Sequence, residues 1–331
     1  MSKEAVTLDD ISRARRSIAD AVRRTPLVPS FALSEEAGAD VRLKLETAQD
    51  TGTFKIRGAT NKLLSLGRED RARGVVAVSS GNHGRGVARA AKRLGVRAVV
   101  CMGRLVPDNK VAAIRALGAE VRIVGDSQDE AEVEARRLVR EEGLVEAHPF
   151  DDARVIAGQG TIGLEILEDL PAVRTVVVPL SGGGLIAGVA LAVKSIRPKV
   201  RVVGVTMERG AAMYESQKAG RPVPVDEVPT LADALGGGIG LRNRHTFSMV
   251  RDLVDELHLV DEEQIADAIR HAYWTEGQIV EGAGAVGIAA LMAGLVEDPG
   301  PTAVVVSGGN IDRALHARLV AGREAPAPAM A

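Results

Sequence analysis

The sequence predicts an α/β fold of two doubly wound sheets with a cleft between them. Three observations carry this expectation. Short apolar runs of strand length alternate with longer helical segments between residues 41 and 142, the pattern of βαβ units and a parallel sheet. The alternation restarts after Phe150 and continues to Val306, as a second such sheet. Three glycine clusters each follow a strand, and ligands of doubly wound sheets sit at the carboxyl ends of strands.

Each element has a local reason. Thr7-Leu8-Asp9-Asp10 is a capping-box pattern that opens a helix to about Arg23, and Pro26 stops it. Val41-Arg42-Leu43-Lys44-Leu45-Glu46 alternates apolar and charged residues with period two and reads as a strand, with Lys44 on its polar, solvated side. A helix follows from Ala59 to Leu66. Strands are expected at Val75–Val78, Ala98–Met102 and Glu120–Val124. Helices are expected at Gly86–Leu94 and Asn109–Leu117, and a third, capped by Ser127, runs to Glu142. In the second half, Ile156–Leu167, Ile186–Ile196 and a segment within Val280–Leu295 read as helices, and Asp261 caps another to about Glu276. Thr175–Pro179, Val200–Val205 and Ala303–Val306 read as strands. Residues 218–229, rich in proline and polar side chains, read as loop.

Composition narrows the function. The chain has 331 residues, enough for two domains. Its net charge of −2 offers nothing to a polyanion, so no nucleic-acid role is expected. Aromatic residues make up only 2%, which leaves the core to Val, Leu, Ile and Ala. The single cysteine, Cys101, lies in an apolar run and reads as a buried strand residue. It rules out an internal disulfide and fits a reducing compartment. No apolar run reaches membrane-spanning length, and the polar start lacks a signal peptide's apolar region. A cytoplasmic protein is expected. None of the six histidines forms an H-x-x-x-H pair, and no metal site is expected.

The chemistry is concentrated in four segments. Thr51-Gly52-Thr53-Phe54-Lys55-Ile56-Arg57-Gly58-Ala59 places Lys55 where a loop enters a helix. There, unpaired N–H groups favour an anion. An amine held among apolar groups has a lowered pKa and can attack a carbonyl. Ser79-Ser80-Gly81-Asn82-His83-Gly84 offers two hydroxyls, an amide and several N–H groups, a set suited to a carboxylate or phosphate. A capped tight turn is the competing reading. Ser181-Gly182-Gly183-Gly184-Leu185 lets the backbone wrap an anion closely. Gly182 to Ala187 also satisfies the loose dinucleotide fingerprint, with Glu208 near the end of the next strand. Alone it would suggest an NAD-dependent oxidoreductase. Ser307-Gly308-Gly309-Asn310 puts a serine at a strand end, able to bond a ring nitrogen or to cap a helix.

These four segments, in this order, resemble the fold-type II pyridoxal-phosphate (PLP) enzymes of the threonine/serine dehydratase and serine racemase branch, over about residues 7 to 320. The resemblance implies that Lys55 forms the Schiff base with PLP and that Phe54 packs against the pyridine ring. Asn82 would bond the ring hydroxyl, Ser307 the ring nitrogen, and Ser181, Gly182, Gly183, Gly184 and Leu185 the phosphate. Ser79, Ser80, Asn82 and the backbone at His83 would receive the substrate carboxylate. The freed Lys55 would remove the Cα proton, and the β-hydroxyl would leave as water, giving a 2-oxo acid and ammonia. Ser80 matches the racemase base, so racemisation is the alternative chemistry. Thr206 and Ala212 stand where racemases carry acidic metal ligands, so no divalent cation is expected there, although Glu208 is close. The stretch from Leu235 to Leu241, with Asn243-Arg244-His245-Thr246-Phe247, looks more like the hydroxyectoine-utilisation dehydratases. The resemblance further implies a homodimer acting on a small amino-acid substrate. It also implies a large PLP-binding domain of residues 1–64 and 149–322 and a small mobile domain of residues 65–148; the low-complexity run Ala325-Pro326-Ala327-Pro328-Ala329 reads as part of a disordered tail at 323–331. Feedback control by an appended domain is not expected.

Overall fold

The structure, a computed structural model, describes residues 5–321 apart from positions 80, 105, 107 and 127. Among the described residues ten strands form two sheets. In the larger, β1 (Leu27–Pro29) pairs antiparallel with β2 (Val41–Leu45). Then β10 (Thr302–Val306), β7 (Thr175–Pro179), β8 (Arg201–Met207) and β9 (Glu256–Val260) follow in parallel. In the smaller, β5 (Glu120–Ile123), β4 (Ala98–Met102), β3 (Val75–Val78) and β6 (Val145–Glu146) are all parallel.

Helices cover both faces of each sheet. They are α1 (Leu8–Ile18), α2 (Phe31–Ala37), α3 (Lys55–Leu64), α4 (Arg68–Arg73), α5 (Asn82–Leu94), α6 (Asp108–Ala116), α7 (Gln128–Glu142) and α8 (Ala153–Asp169). The remainder are α9 (Gly184–Ile196), α10 (Ala212–Lys218), α11 (Thr246–Leu253), α12 (Glu262–Trp274), α13 (Gly282–Met292) and α14 (Arg313–Ala321). Strand alternation sorts the core. Val177, Val203 and Val304 pack with α12 and α13, while Val176, Val178, Val202, Ala303 and Val305 pack with α8 and α9. In the small sheet, Val75, Ala77 and Val100 join Val87 and Ala91 of α5. Val76, Val99 and the buried Cys101 join Ala131, Ala135 and Leu138 of α7. These are strands buried on both faces, as parallel sheets require.

Most expected elements are present, with shifted ends. Asp10 closes the Thr7 capping box, but α1 stops at Ile18 rather than near Arg23. The side chain of Gln49 instead binds the backbone of Arg23, accepting from its N–H and donating to its carbonyl. Several helices start earlier than expected: α3 begins at Lys55 itself, α5 at Asn82, α8 at Ala153 and α9 at Gly184. Ser127, the expected cap of α7, lies outside the described residues, as does the tail from 322. Of the expected loop at 218–229, residues 219–229 contain no helix or strand, while Lys218 ends α10.

Lys44 corrects the sequence reading. It is fully buried, not solvated. Its ammonium contacts Glu165 at 2.6 Å and donates to the Thr25 carbonyl at 2.7 Å. The polar face of β2 is covered by α8, which supplies Glu165. The same carboxylate pairs with Arg57 at 2.7 Å, and Arg57 pairs in turn with Glu46 at 2.8 Å. The helices meet closely here: a Cβ on Gly158 of α8 would lie 2.7 Å from the Cα of Gly58 on α3. Among the described residues no helix is long and apolar enough to cross a membrane.

Candidate active site

All four sequence segments converge on one cavity at the carboxyl ends of β2, β3, β7 and β10. Phe54, Lys55, Ser79, Asn82, His83, Ser181, Gly182, Gly183, Gly184, Leu185 and Ser307 all line it. Ser80 lies outside the described residues. The Lys55 segment is tied to the last glycine turn by a bridge between Thr53 and Gly308 and by the Phe54 N–H, which donates to the Ser307 carbonyl at 3.1 Å. It is also pressed against α5, where a Cβ on Gly86 would sit 3.2 Å from the Lys55 carbonyl.

The Lys55 amine donates to the Pro149 carbonyl at 3.0 Å and stands 5.2 Å from the centre of the Phe54 ring. Among the described residues no carboxylate lies within ion-pair distance of it. Burial therefore dominates and pushes its pKa down to about 8, against a weaker pull from Glu281. A sizeable neutral fraction near neutral pH makes this amine a competent nucleophile and base.

Two helix N-termini that open on the cavity have glycine N-caps, which supply no side-chain cap of their own. Gly183, at the N-cap of α9, has φ +89°, a conformation that favours glycine, and a Cβ there would meet Met213 and Thr246 at 2.9 Å. The Cβ positions of Gly182 and Gly184 are taken by Phe150. The first-turn N–H groups of α9 are thus left for an anion. At α5, the Ser79 hydroxyl accepts from Gly81 N at 3.2 Å and Gly84 N at 3.0 Å. Here the capped-turn reading holds at the hydroxyl oxygen, and the side chain still faces the cavity. The His83 ring turns away and donates from Nε2 to the Ala147 carbonyl at 2.7 Å. Burial lowers its pKa to about 3, so it stays neutral.

Glu281 is the residue that sequence reasoning missed. It is buried, accepting from Asn82 Nδ2 at 2.7 Å and Asn310 N at 3.1 Å. Burial, reinforced by Asp233, raises its pKa to about 7. Asn310 Nδ2 donates to Asn82 Oδ1 at 2.8 Å and to the Thr51 carbonyl at 2.9 Å. Asn82, expected to face a ring hydroxyl, is thus held from both ends of its amide. The available signal was Glu281-Gly282-Ala283-Gly284, an acid at the N-cap of α13 in a glycine-rich turn.

The sequence profile described as "Pyridoxal-phosphate dependent enzyme" matches residues 18–308. The chain belongs to this family. A "Putative threonine dehydratase" of Sinorhizobium fredii is 58% identical over 96% of both chains. The structure titled for maize serine racemase superposes with a TM-score of 0.90 at 36% identity, over 95% of this chain and 96% of that one. A structure titled for a threonine deaminase from T.th. gives 0.85 at 40% identity, over 92% and 99%. The family assignment makes pyridoxal phosphate the cofactor and the chain an enzyme, and it sets aside the NAD-dependent reading of Gly182–Ala187. The residues present fit the group. The cavity holds an amine without a carboxylate partner and an uncapped helix N-terminus. It also holds the Ser307 hydroxyl, whose protein partner, the Ala283 carbonyl, is a distant 3.5 Å away.

Proposed function

We propose that this chain is a PLP-dependent dehydratase that eliminates water from a β-hydroxy amino acid such as L-threonine or L-serine, the enamine so formed being hydrolysed to a 2-oxo acid and ammonia. The observation that carries it is the Lys55 amine, held in the cavity with a carbonyl but no carboxylate, so that its neutral form is accessible. The similarity to a threonine dehydratase supports the substrate class.

In this reading the α9 N–H groups, with Ser181 and Leu185, would hold the cofactor's phosphate. Phe54, Ser307 and Asn82 would hold its ring, Ser307 toward the ring nitrogen and Asn82 toward the ring hydroxyl. When bound, pyridoxal phosphate supplies an electron-accepting ring for the charge left at Cα. The α5 turn, with Ser79, Ser80, Asn82 and the backbone at His83, receives the carboxylate. The neutral Lys55 amine takes the Cα proton. Ser307 offers a neutral hydroxyl rather than a carboxylate at the ring nitrogen, which favours expulsion of a β-leaving group over transamination. Residues 65–148 form the part that closes over the substrate, and Lys110 on α6 already reaches Asp233 across the cleft at 3.0 Å. The enzyme works in the cytoplasm as a homodimer.

Two further readings keep a specific support. Racemisation by Ser80 is favoured by the likeness to maize serine racemase. Hydroxyectoine as substrate is favoured by Leu235, Gly236, Gly237 and Gly238, which line the cavity. The test is the absorption spectrum of purified enzyme before and after L-threonine, L-serine and hydroxyectoine in turn, with 2-oxo acid measured. Oxo-acid release from L-threonine or L-serine is expected. Inversion without release would replace elimination by racemisation.

A further inference from the structure

The proposed reaction uses Lys55, Ser307 and two helix N-termini, but leaves one cation in the cavity unexplained. Arg85 lies on α5, two residues past His83, and is half-buried. Its side chain lines the same cavity as Lys55 and Asn82. Among the described residues no hydrogen bond or ion pair engages its guanidinium. One turn further along the same helix, Arg89 pairs with Asp50 at 3.0 Å, and Arg93 donates to the Asp20 carbonyl. The contrast is between arginines committed to the protein and one that faces the ligand space.

Three carboxylates line this cavity, Glu227, Asp233 and Glu281, and none is within ion-pair distance of Arg85. Asp233 is engaged by Lys110, and Glu281 is held by Asn82 and the Asn310 N–H. Burial pulls the Arg85 pKa down, with only a weaker opposing pull from Glu281. A partly desolvated guanidinium without a partner is costly, and a carboxylate that binds its planar fork recovers that cost. The cofactor phosphate has its own place on α9, and the substrate's α-carboxylate has the α5 turn. What remains for Arg85 is a second anion on the substrate side chain.

We propose that Arg85 is the specificity residue of this cavity and receives a side-chain carboxylate, so that the substrate is a β-hydroxy dicarboxylic amino acid. This rests on the dehydratase reading and names its substrate class. The Cα–H and Cβ–O bonds break, a Cα–Cβ double bond forms and water leaves. The released enamine tautomerises to an imine, and one water hydrolyses it to a 2-oxo dicarboxylic acid and ammonia.

The test compares holoenzyme and its Arg85→Gln variant with 3-hydroxyaspartate and L-threonine, and titrates both proteins with succinate and propionate by calorimetry. A charge-assisted bidentate pair predicts that kcat/KM for 3-hydroxyaspartate exceeds that for L-threonine by about tenfold or more, and that Arg85→Gln lowers this ratio by about 10- to 100-fold, mostly through KM. Succinate should bind the parent enzyme about tenfold more tightly than propionate, and the variant should lose that preference. An unchanged ratio, or an equal fall for both substrates, overturns the proposal; an equal fall assigns Arg85 to the α-carboxylate. If neither compound is turned over, the dehydratase reading fails. The succinate preference then decides alone: its loss in the variant keeps the anion site, and its absence from the parent enzyme overturns it.

Discussion

Two regions at the start of α3 hold positive charge in opposite ways. Beneath the helix, Lys44 and Arg57 are buried and answered by Glu165 and Glu46 at 2.6 to 2.8 Å. Opposing carboxylates there raise the Arg57 pKa despite burial. Above it, Lys55 opens on the cavity, donates to the Pro149 carbonyl and has no carboxylate partner among the described residues, and its pKa falls to about 8. Burial alone therefore does not mark a reactive lysine. A missing counter-ion does. The buried network fixes the helix, and the unpaired amine is left for chemistry.

The largest expected effect breaks the upper half of this comparison. Lys55→Ala should lower turnover of L-threonine by about a thousandfold or more, because it removes the group proposed as both cofactor anchor and base. Oxo-acid release and the absorption of bound cofactor check it. The next breaks the lower half. Glu165→Ala strips a carboxylate from Lys44 and Arg57 together, and leaving buried charge uncompensated costs about 3 kcal/mol or more. Urea unfolding measures the loss, and a value near zero would mean that the network is solvated.

The comparison also marks what the sequence could and could not reveal. The four cavity segments were legible because each is a local pattern: a lysine at a helix start, or a glycine run after a strand. Lys44 was misread because period-two alternation shows that a strand has two faces, not what covers them. Glu165, which covers it, arrives from α8. Glu281 was missed for the same reason, since its meaning comes from Asn82 on the other side of the cleft. The glycines at 84 and 86 hid the true start of α5. Their purpose is tertiary: a Cβ at 84 would meet Ile114 at 2.9 Å, and one at 86 would meet the Lys55 backbone.

A smaller effect sharpens the contrast through pH. Glu281 titrates near 7 in the folded protein against 4.5 ordinarily. Between those values the folded state holds more protons. Its stabilising contribution is full below pH 4.5 and is lost as pH rises through 7. For the cofactor-free protein, Glu281→Gln should remove this decline, at most about 3 kcal/mol, in urea unfolding at pH 5 and pH 7.5. The smallest effect is at Ser307. Replacing it by alanine removes one neutral hydrogen bond and should weaken cofactor binding by about 1 kcal/mol, read as a several-fold rise in Kd.

The most direct measurement is the titration of Lys55 itself. Cofactor-free protein carrying lysine labelled with 13C at the ε-carbon, with Lys55→Arg to assign the signal, gives the amine's pKa by NMR. The unpaired amine should titrate near 8. A midpoint at the ordinary 10.5 would show that the amine has found a counter-ion or open water, and the contrast with Lys44 and Arg57 would fall with it.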